Sequence, residues 1–224
     1  MKIVAFVMYA PMRINFPNPA TTETIEDVIA VGGELSVENL IYAYSLGIFP
    51  WPHKGYPLLW FCPEKRGIIE FKDLHISRSL QKWIRKNEAK IKVKLNHDFA
   101  AVIKNCRQQK RAGQKGSWIN AEIEKSYTEL NSLGVALSLE CYVDDELVAG
   151  IYGVLSKKYF SCESMFYKID NGSKFAFIKL VEHLKNLGHE WMDLQMITEV
   201  SGSFGGKYIS KDQFLDRIEC PHWS

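Results

Sequence analysis

Three β-rich runs follow one another between residues 135 and 167, and they constrain the fold more than any other feature of the chain. They read VALSLECYV, ELVAGIYGVL and KYFSCESMFY, and only short turns such as DD and SKK separate them. Runs with this spacing pair as an antiparallel meander. The next segment, SKFAFIKLVEHLKNLG, predicts a helix that packs on the sheet, because its apolar residues have helical spacing and Gly188 ends it. The apolar face of this helix is predicted to contain Phe177, Leu180, Val181, Leu184 and Leu187.

The strand after this helix carries two polar residues on one face. In the run WMDLQMI, alternation places Asp193 and Gln195 on one side and Met192, Leu194 and Met196 on the other. One interpretation is a polar pair at a sheet edge, facing water. The flanking Trp and Met residues argue against full exposure, and burial of an unpaired carboxylate costs several kcal/mol. We therefore favour a functional role for this pair.

The run FSCESMF places a second carboxylate, Glu163, in an apolar strand. Alternation puts Phe160, Cys162, Ser164 and Phe166 on one face and Ser161, Glu163 and Met165 on the other. A functional carboxylate and an ion pair with a lysine remain equal alternatives. Nucleophilic catalysis by Cys162 is disfavoured, because the sequence carries no recognisable pairing of this cysteine with a histidine base, and a strand thiol is usually a small buried apolar group.

The N-terminal part has clear helix signals. Ser36 is a candidate N-cap, and Gly47 is a candidate helix end. A stretch rich in proline and aromatic residues follows, and we place a domain junction between residues 60 and 70. The first ten residues, MKIVAFVMYA, are interpreted as a strand rather than as a signal peptide.

The cysteine count, the length of the apolar runs and the net charge limit the compartments and partners that fit this chain. The five cysteines are odd in number, widely spaced and without a CxxC pair, which favours a reducing compartment over a disulfide framework or structural zinc. No run approaches the roughly 18 apolar residues of a membrane span. The net charge of +2 is too small to indicate a nucleic-acid partner by itself.

Local charge is more informative than net charge. The segment LHISRSLQKWIRK predicts an amphipathic helix with an apolar face and a basic face, the latter formed by Arg78, Lys82, Arg85 and Lys86. A second basic stretch contains Lys104, Arg107, Lys110, Arg111 and Lys115. Trp118 follows it directly. Stacking beside a cationic loop is typical of single-stranded RNA recognition, although most charged runs are simply solvated surfaces.

Six segments occur together in an order and spacing that point to one family. They are GGELSVENLIYAYSLGIFPW, LHISRSL, GSWI, ELVAGIYGV, ESMF and DLQ. Together they resemble the leucyl/phenylalanyl-tRNA–protein transferases, from about Phe16 to about Ile218. The resemblance implies an α/β (α+β) fold. A small N-terminal α/β domain, residues 1–65, precedes a GNAT-like acyltransferase domain, residues 66–224, with a mostly antiparallel sheet. The order meander, helix, strand agrees with an acyltransferase core by analogy.

The resemblance also implies an activity. The family transfers leucine, phenylalanine or, less well, methionine from aminoacyl-tRNA to proteins whose N-terminal residue is Arg or Lys, and so creates an N-end-rule degradation signal. No cofactor or metal is expected. The implied protein is a cytoplasmic monomer without membrane association. The basic helix face, Arg78, Lys82, Arg85 and Lys86, is the expected tRNA-binding surface.

The resemblance implies roles for individual residues. Asp193 and Gln195 match the proposed catalytic pair of the family. The matches expected to bind substrate are Trp51, Trp118, Ile151, Phe160, Glu163 and Phe177.

The chain also departs from the family pattern. Cys162 replaces a usual glycine, Leu180 replaces a pocket phenylalanine, and Val200 stands where a histidine is usual. These departures bear on acceptor geometry and on the choice between leucine and phenylalanine.

Two rival functions can be set against this interpretation. A CoA-dependent N-acetyltransferase needs a basic residue opening a glycine-rich pyrophosphate loop, and VSGSFGGKY has the glycines without that opening residue. An RNA-binding module with purely structural carboxylates is the non-enzymatic alternative.

Overall fold

A computed structural model describes residues 13–110, 116–156 and 158–220. The predicted N-terminal strand, and Arg111 and Lys115 of the second basic stretch, lie outside these residues. The strands are β1 Val28–Val31, β2 Phe49–Pro50, β3 Leu59–Phe61, β4 Lys65–Glu70, β5 Lys92–Leu95, β6 Ala136–Val143, β7 Glu146–Leu155, β8 Phe160–Tyr167, β9 Trp191–Gln195 and β10 Lys207–Ser210. The helices are α1 Val37–Ser45, α2 Arg78–Asn87, α3 Phe99–Gln108, α4 Ala121–Ser132, α5 Gly172–Asn186, α6 Glu199–Ser203 and α7 Lys211–Arg217.

The strands form two sheets. A three-stranded sheet has the order β1-β3-β2, and a seven-stranded sheet has the order β10-β4-β9-β8-β7-β6-β5. Neighbouring strands are antiparallel except β8 and β9, which are parallel and connected through α5. The mixed α/β class, the antiparallel meander and the helix after it are therefore confirmed. Leu187, at the end of this helix, is exposed, so the predicted apolar face is wrong at that position.

The strand β9 lies inside the larger sheet, between β4 and β8. Asp193 is fully buried, and Gln195 is nearly so. The interpretation of these residues as a water-facing pair at a sheet edge is therefore wrong.

Apolar side chains cover both faces of the larger sheet. The α1-side cluster contains residues of α1, α3 and α4, including Leu40, Val102 and Tyr127. The α5-side cluster contains residues of α2 and α5, including Leu80 and Phe177. The α1-side cluster draws on residues from both sides of position 65, so the division into domains 1–65 and 66–224 stays a prediction.

A β-bulge interrupts the alternation of β8. Tyr152 pairs with Ser164 and Gly153 pairs with Cys162, so Glu163 is the extra residue on β8. A bulge re-aims the side chains beyond it. The prediction that Phe166 shares the face of Phe160 is consequently wrong: Phe166 packs in the α1-side cluster, and Phe160 in the α5-side cluster.

Candidate active site

A cavity of about 210 Å³ lies between β2, β8, β9, α5 and α6. Its lining is mostly apolar, with a few polar side chains, which is typical of small-ligand sites. A cavity of about 150 Å³ is large enough to bind benzene, so this one has room for a leucine or phenylalanine side chain. The lining residues are Phe49, Pro50, Trp51, Trp118, Cys162, Glu163, Ser164, Met165, Phe177, Leu194, Gln195, Met196, Thr198 and Ser201.

The structure brings five of the predicted site residues to this cavity: Trp51, Trp118, Glu163, Phe177 and Gln195. Ile151 and Phe160 do not line it. Both are fully buried in the α5-side cluster, which corrects the expectation that they form the pocket wall. Alternation along a strand predicts which face a side chain is on. It does not predict whether that side chain packs in the core, as Ile151 and Phe160 do, or lines a cavity. Cys162, Met165 and Leu194 occupy the wall instead.

Asp193 lies behind the cavity and is saturated with hydrogen bonds. The Arg66 guanidinium donates from Nε to Oδ1 and from Nη2 to Oδ2, both at 2.8 Å. The Ser161 hydroxyl donates to Oδ2 at 2.8 Å, and the backbone N–H of Gln195 donates to Oδ1 at 2.9 Å. A carboxylate has about four lone-pair sites, so this one has no acceptor capacity left for substrate.

Arg66 was missed by the sequence analysis, although it is the central cation of the site. It is fully buried, and its guanidinium lies over the rings of Phe49 and Phe214 at 4.7 and 4.4 Å. Its Nη1 donates to the carbonyl of Gly47, just beyond the end of α1, at 3.0 Å. Burial alone lowers the pKa of Arg66, but the Asp193 carboxylate outweighs burial and raises it. A lone Arg in the run EKRGII gives no sequence signal of this burial.

The backbone of Gln195 is left-handed, with a φ of 60°. Such a conformation is uncommon outside glycine and often marks a functional position. The hydrogen bond to Asp193 fixes it on one side. On the other side, Gly67 pairs with Gln195, and a Cβ at Gly67 would come within 2.9 Å of the carbonyl carbon of Met196. The absent side chain therefore allows β9 to turn here.

Glu163 is bound by polar partners from α1 and β9. Its Oε1 accepts from the Tyr44 hydroxyl at 2.7 Å and from Gln195 Nε2 at 2.8 Å. The hydroxyls of Tyr44 and Tyr127 are 2.5 Å apart. Because the Tyr44 proton goes to Glu163, Tyr127 donates to Tyr44. The alternative that a lysine pairs with Glu163 is wrong for the described residues.

The second carboxylate oxygen of Glu163 differs from the first. Its Oε2 is buried and has no hydrogen-bond partner among the described residues. Burial raises the pKa of Glu163 to about 7, against the opposing hydrogen bonds from Tyr44 and Gln195. This site therefore holds a carboxyl group that changes charge near neutral pH and offers an unused oxygen.

Cys162 lines the cavity beside Glu163. Burial, with a smaller contribution from Glu163, raises the pKa of its thiol, which keeps it protonated. None of the described residues that line the cavity is a histidine. Nucleophilic catalysis by Cys162 therefore has no support in the geometry.

The predicted basic face lies on α2. Ser77 caps this helix by accepting from the N–H of Leu80, and its apolar side packs against the α5-side cluster. The four predicted cations are exposed, and none forms an ion pair with a described residue: Arg78, Lys82, Arg85 and Lys86.

The start of α2 is anchored close to the cavity. The N–H of His75 donates to the carbonyl of Phe204 at 2.9 Å. The ring of Phe204 is stacked on that of Phe177 at 4.7 Å between centroids, and Phe177 lines the cavity. These contacts place the start of α2 close to the cavity wall.

Two kinds of feature are absent from the part of the chain that the structure describes. No helix there is long and apolar enough to cross a membrane. No group of three or more His, Cys, Asp or Glu side chains there could hold a metal ion.

Comparisons with known proteins point to one family along most of the chain. The family model described as leucyl/phenylalanyl-tRNA protein transferase matches residues 68–219, and the model of the N-terminal domain of that family matches residues 33–64.

Individual relatives agree with these matches. A leucyl/phenylalanyl-tRNA–protein transferase of Sulfurimonas denitrificans is 42% identical over 206 residues, which cover 92% of this chain and 88% of the relative. The protein of the same name from Flavobacterium psychrophilum is 41% identical, covering 92% and 97%. The one from Pseudomonas aeruginosa is 37% identical, covering 92% of both chains.

Proposed function

Because the chain belongs to the leucyl/phenylalanyl-tRNA–protein transferase family, whose members transfer aminoacyl groups from tRNA to proteins, we propose that its cavity binds the side chain of the transferred amino acid. The donors are leucyl- and phenylalanyl-tRNA, with methionyl-tRNA used less well. The acceptor is the α-amine of a protein that begins with Arg or Lys. The product then carries a destabilising N-terminal residue and is a degradation signal.

The observation that carries this proposal is the position of the polar pair. Gln195 and Glu163 meet at 2.8 Å on the wall of an apolar cavity. An apolar wall accepts leucine, phenylalanine and methionine, because one methylene changes binding by only about 1–3 kcal/mol. A charged side chain would be buried there without a partner, at a far larger cost.

Two tryptophans support a place for the adenosine. Trp51 and Trp118 line the same cavity, and stacking of a base on an aromatic ring contributes about 1–3 kcal/mol. The terminal adenosine of the tRNA would then lie between the cavity and the basic face of α2, whose four exposed cations are suited to phosphate contacts.

The reaction is aminolysis of an activated ester. The acceptor amine attacks the aminoacyl carbonyl, and the ribose hydroxyl leaves. Holding amine and carbonyl in an attack geometry supplies much of the rate in such reactions. The amide oxygen of Gln195 is suited to this task. Its Nε2 donates to the Glu163 carboxylate, which leaves Oε1 to accept a hydrogen bond from the amine. Asp193, held by Arg66, fixes the Gln195 backbone and thereby acts as a positioning residue.

The use of aminoacyl-tRNA as donor favours a cytoplasmic setting. We further propose that the protein acts as a monomer. Transfer activity that stays proportional to protein concentration over a wide range would support the monomer.

The test is a transfer assay with defined donors and acceptors. The protein is mixed with leucyl-, phenylalanyl- or methionyl-tRNA and with peptides that differ only in their first residue, Arg, Lys or Asp. The expected product of the Arg and Lys peptides is heavier by one leucine, phenylalanine or methionine residue, and an N-acetylated Arg peptide serves as the blocked control. Equal transfer to the Asp peptide would contradict the acceptor assignment. Acetylation from acetyl-CoA in place of aminoacyl transfer would contradict the reaction class.

A further inference from the structure

We propose that Glu163 takes the proton from the acceptor's α-ammonium, so that Asp193 and Gln195 position the reacting groups without receiving that proton. This inference rests on the proposed aminoacyl transfer and assigns one residue within it. It follows from the three side chains' remaining capacity to bind a proton.

Asp193 has no such capacity. Its four acceptor positions are filled by two N–H groups of Arg66, the Ser161 hydroxyl and the backbone N–H of Gln195. It does not line the cavity. A proton could reach Asp193 only if one of these bonds to a buried carboxylate broke.

Gln195 is also unsuited to receive the proton, because a carboxamide is a far weaker base than a carboxylate. Its contribution is geometric. The Gln195 amide nitrogen donates a hydrogen bond to Glu163 Oε1. The Gln195 amide oxygen is then free to accept a hydrogen bond from the acceptor amine, which is the group that loses the proton. This arrangement places the attacking nitrogen next to Glu163.

Glu163 has one oxygen ready for a proton. Its Oε1 accepts from Tyr44 and Gln195. The Ser161 hydroxyl lies nearer to Asp193, at 2.8 Å, than to Glu163, at 3.3 Å, so its single proton goes to Asp193. The Oε2 atom is buried and has no partner among the described residues. A buried acceptor without a donor is costly, so a proton on Oε2 would relieve that cost.

The proton balance of the step is complete. One proton passes from the α-ammonium to the Glu163 carboxylate and leaves a neutral amine. The amine nitrogen then bonds to the ester carbonyl carbon. As the carbon–oxygen bond to the ribose breaks, one of the two remaining nitrogen protons passes to the leaving ribose oxygen. The product is an amide and a free ribose hydroxyl, and Glu163 releases its proton to solvent before the next cycle.

Several charged or titratable groups surround Glu163. They come from α1, α4, β4, β8 and β9 and from the residue before β8: Tyr44, Tyr127, Arg66, Cys162, Asp193 and Tyr159. Burial raises the pKa of Tyr44, Tyr127 and Tyr159, so these remain neutral hydroxyls near pH 7. Arg66 and Asp193 neutralise each other. Since burial raises the pKa of Glu163 to about 7, its carboxylate is a suitable general base at neutral pH.

The experiment is the pH dependence of kcat/KM for an Arg peptide, with saturating phenylalanyl-tRNA. We expect the wild-type profile to rise through about pH 7, as Glu163 ionises, and to level off above about pH 8, where the free amine no longer needs a base. Glu163→Gln keeps the size of the side chain and removes the base. The kcat/KM of this variant at neutral pH should be about 100-fold lower than that of the wild type. Its pH profile should lack the limb near pH 7, and its kcat/KM should rise with the fraction of free amine.

A second variant and a second acceptor test the base role of Glu163 independently. Tyr44→Phe removes a hydrogen bond that lowers the Glu163 pKa, so the acidic limb should move to higher pH by about one unit. Hydroxylamine is uncharged at neutral pH and needs no base, so Glu163→Gln should impair its reaction much less than that of the peptide.

The possible results distinguish the base role of Glu163 from the proposed aminoacyl-transfer function. An acidic limb unchanged in Glu163→Gln, or an effect confined to KM for Arg peptides, would overturn the base role and leave the transfer function intact. Failure of the wild-type protein to transfer any residue would overturn the proposed function, and this inference with it.

Discussion

The guanidinium of Arg66 and the carboxylate of Asp193 form a buried two-point pair, with both nitrogen–oxygen distances at 2.8 Å. It joins β4 to β9 directly behind the Gln195 backbone. A bidentate pair fixes the planes of both groups as well as their separation. The cavity wall therefore has a rigid charged support whose net charge is zero, and the only carboxylate on that wall, within the described residues, is Glu163.

Removing the cation should destabilise the protein strongly. Arg66→Met leaves a buried carboxylate without its partner, which costs about 3–5 kcal/mol, and Asp193→Ala should fall in the same range. The free energy of unfolding in urea measures this loss. Lys92→Met provides the matched control, because Lys92 and Asp145 are mostly exposed and such pairs contribute about 0–1 kcal/mol. A loss below 1 kcal/mol for Arg66→Met would contradict the supporting role.

The basic face of α2 should govern tRNA binding through charge. Lys82→Glu and Arg85→Glu are expected to weaken binding regardless of tRNA sequence, since phosphate contacts carry no sequence information. Each lost contact should reduce the slope of log affinity against log salt by about 1. Lys125→Glu, an exposed lysine on α4, is the comparison. Affinity that does not respond to salt would exclude this face as the docking surface.

Two phenylalanines should separate specificity from stability. Both pack in the α5-side cluster, but Phe177 lines the cavity and Phe160 does not. Phe177→Leu enlarges the cavity, so leucine should lose contacts that phenylalanine retains, and kcat/KM for leucyl-tRNA relative to phenylalanyl-tRNA should fall by about tenfold. Phe160→Leu should lower stability without changing this ratio. If Phe160→Leu changed this ratio and Phe177→Leu did not, then Phe160 and not Phe177 would line the pocket.

The sequence predicted this site in part, for physical reasons that individual residues illustrate. Local signals were reliable: Ser36 caps α1, and Gly47 follows its end with a φ of 74°. Alternation failed at Glu163, because a bulge depends on pairing with β7 and not on the local run. Arg66 could not be found, because its burial depends on Asp193, 127 residues away. The resemblance to a family identified residues near the cavity, but only packing could separate Ile151 and Phe160 from its surface.

The most direct test is the single-turnover rate of phenylalanine transfer from tRNA to an Arg peptide by wild type and by Gln195→Ala, with tRNA affinity measured on the same samples. The variant loses the amide that positions the amine beside Glu163, and misplacement by about 1 Å costs as much as 100-fold in rate. We predict a rate at least about tenfold lower with unchanged tRNA affinity and a folded protein. A folded variant that binds tRNA normally and transfers within twofold of the wild-type rate would contradict the assignment of catalysis to this cavity.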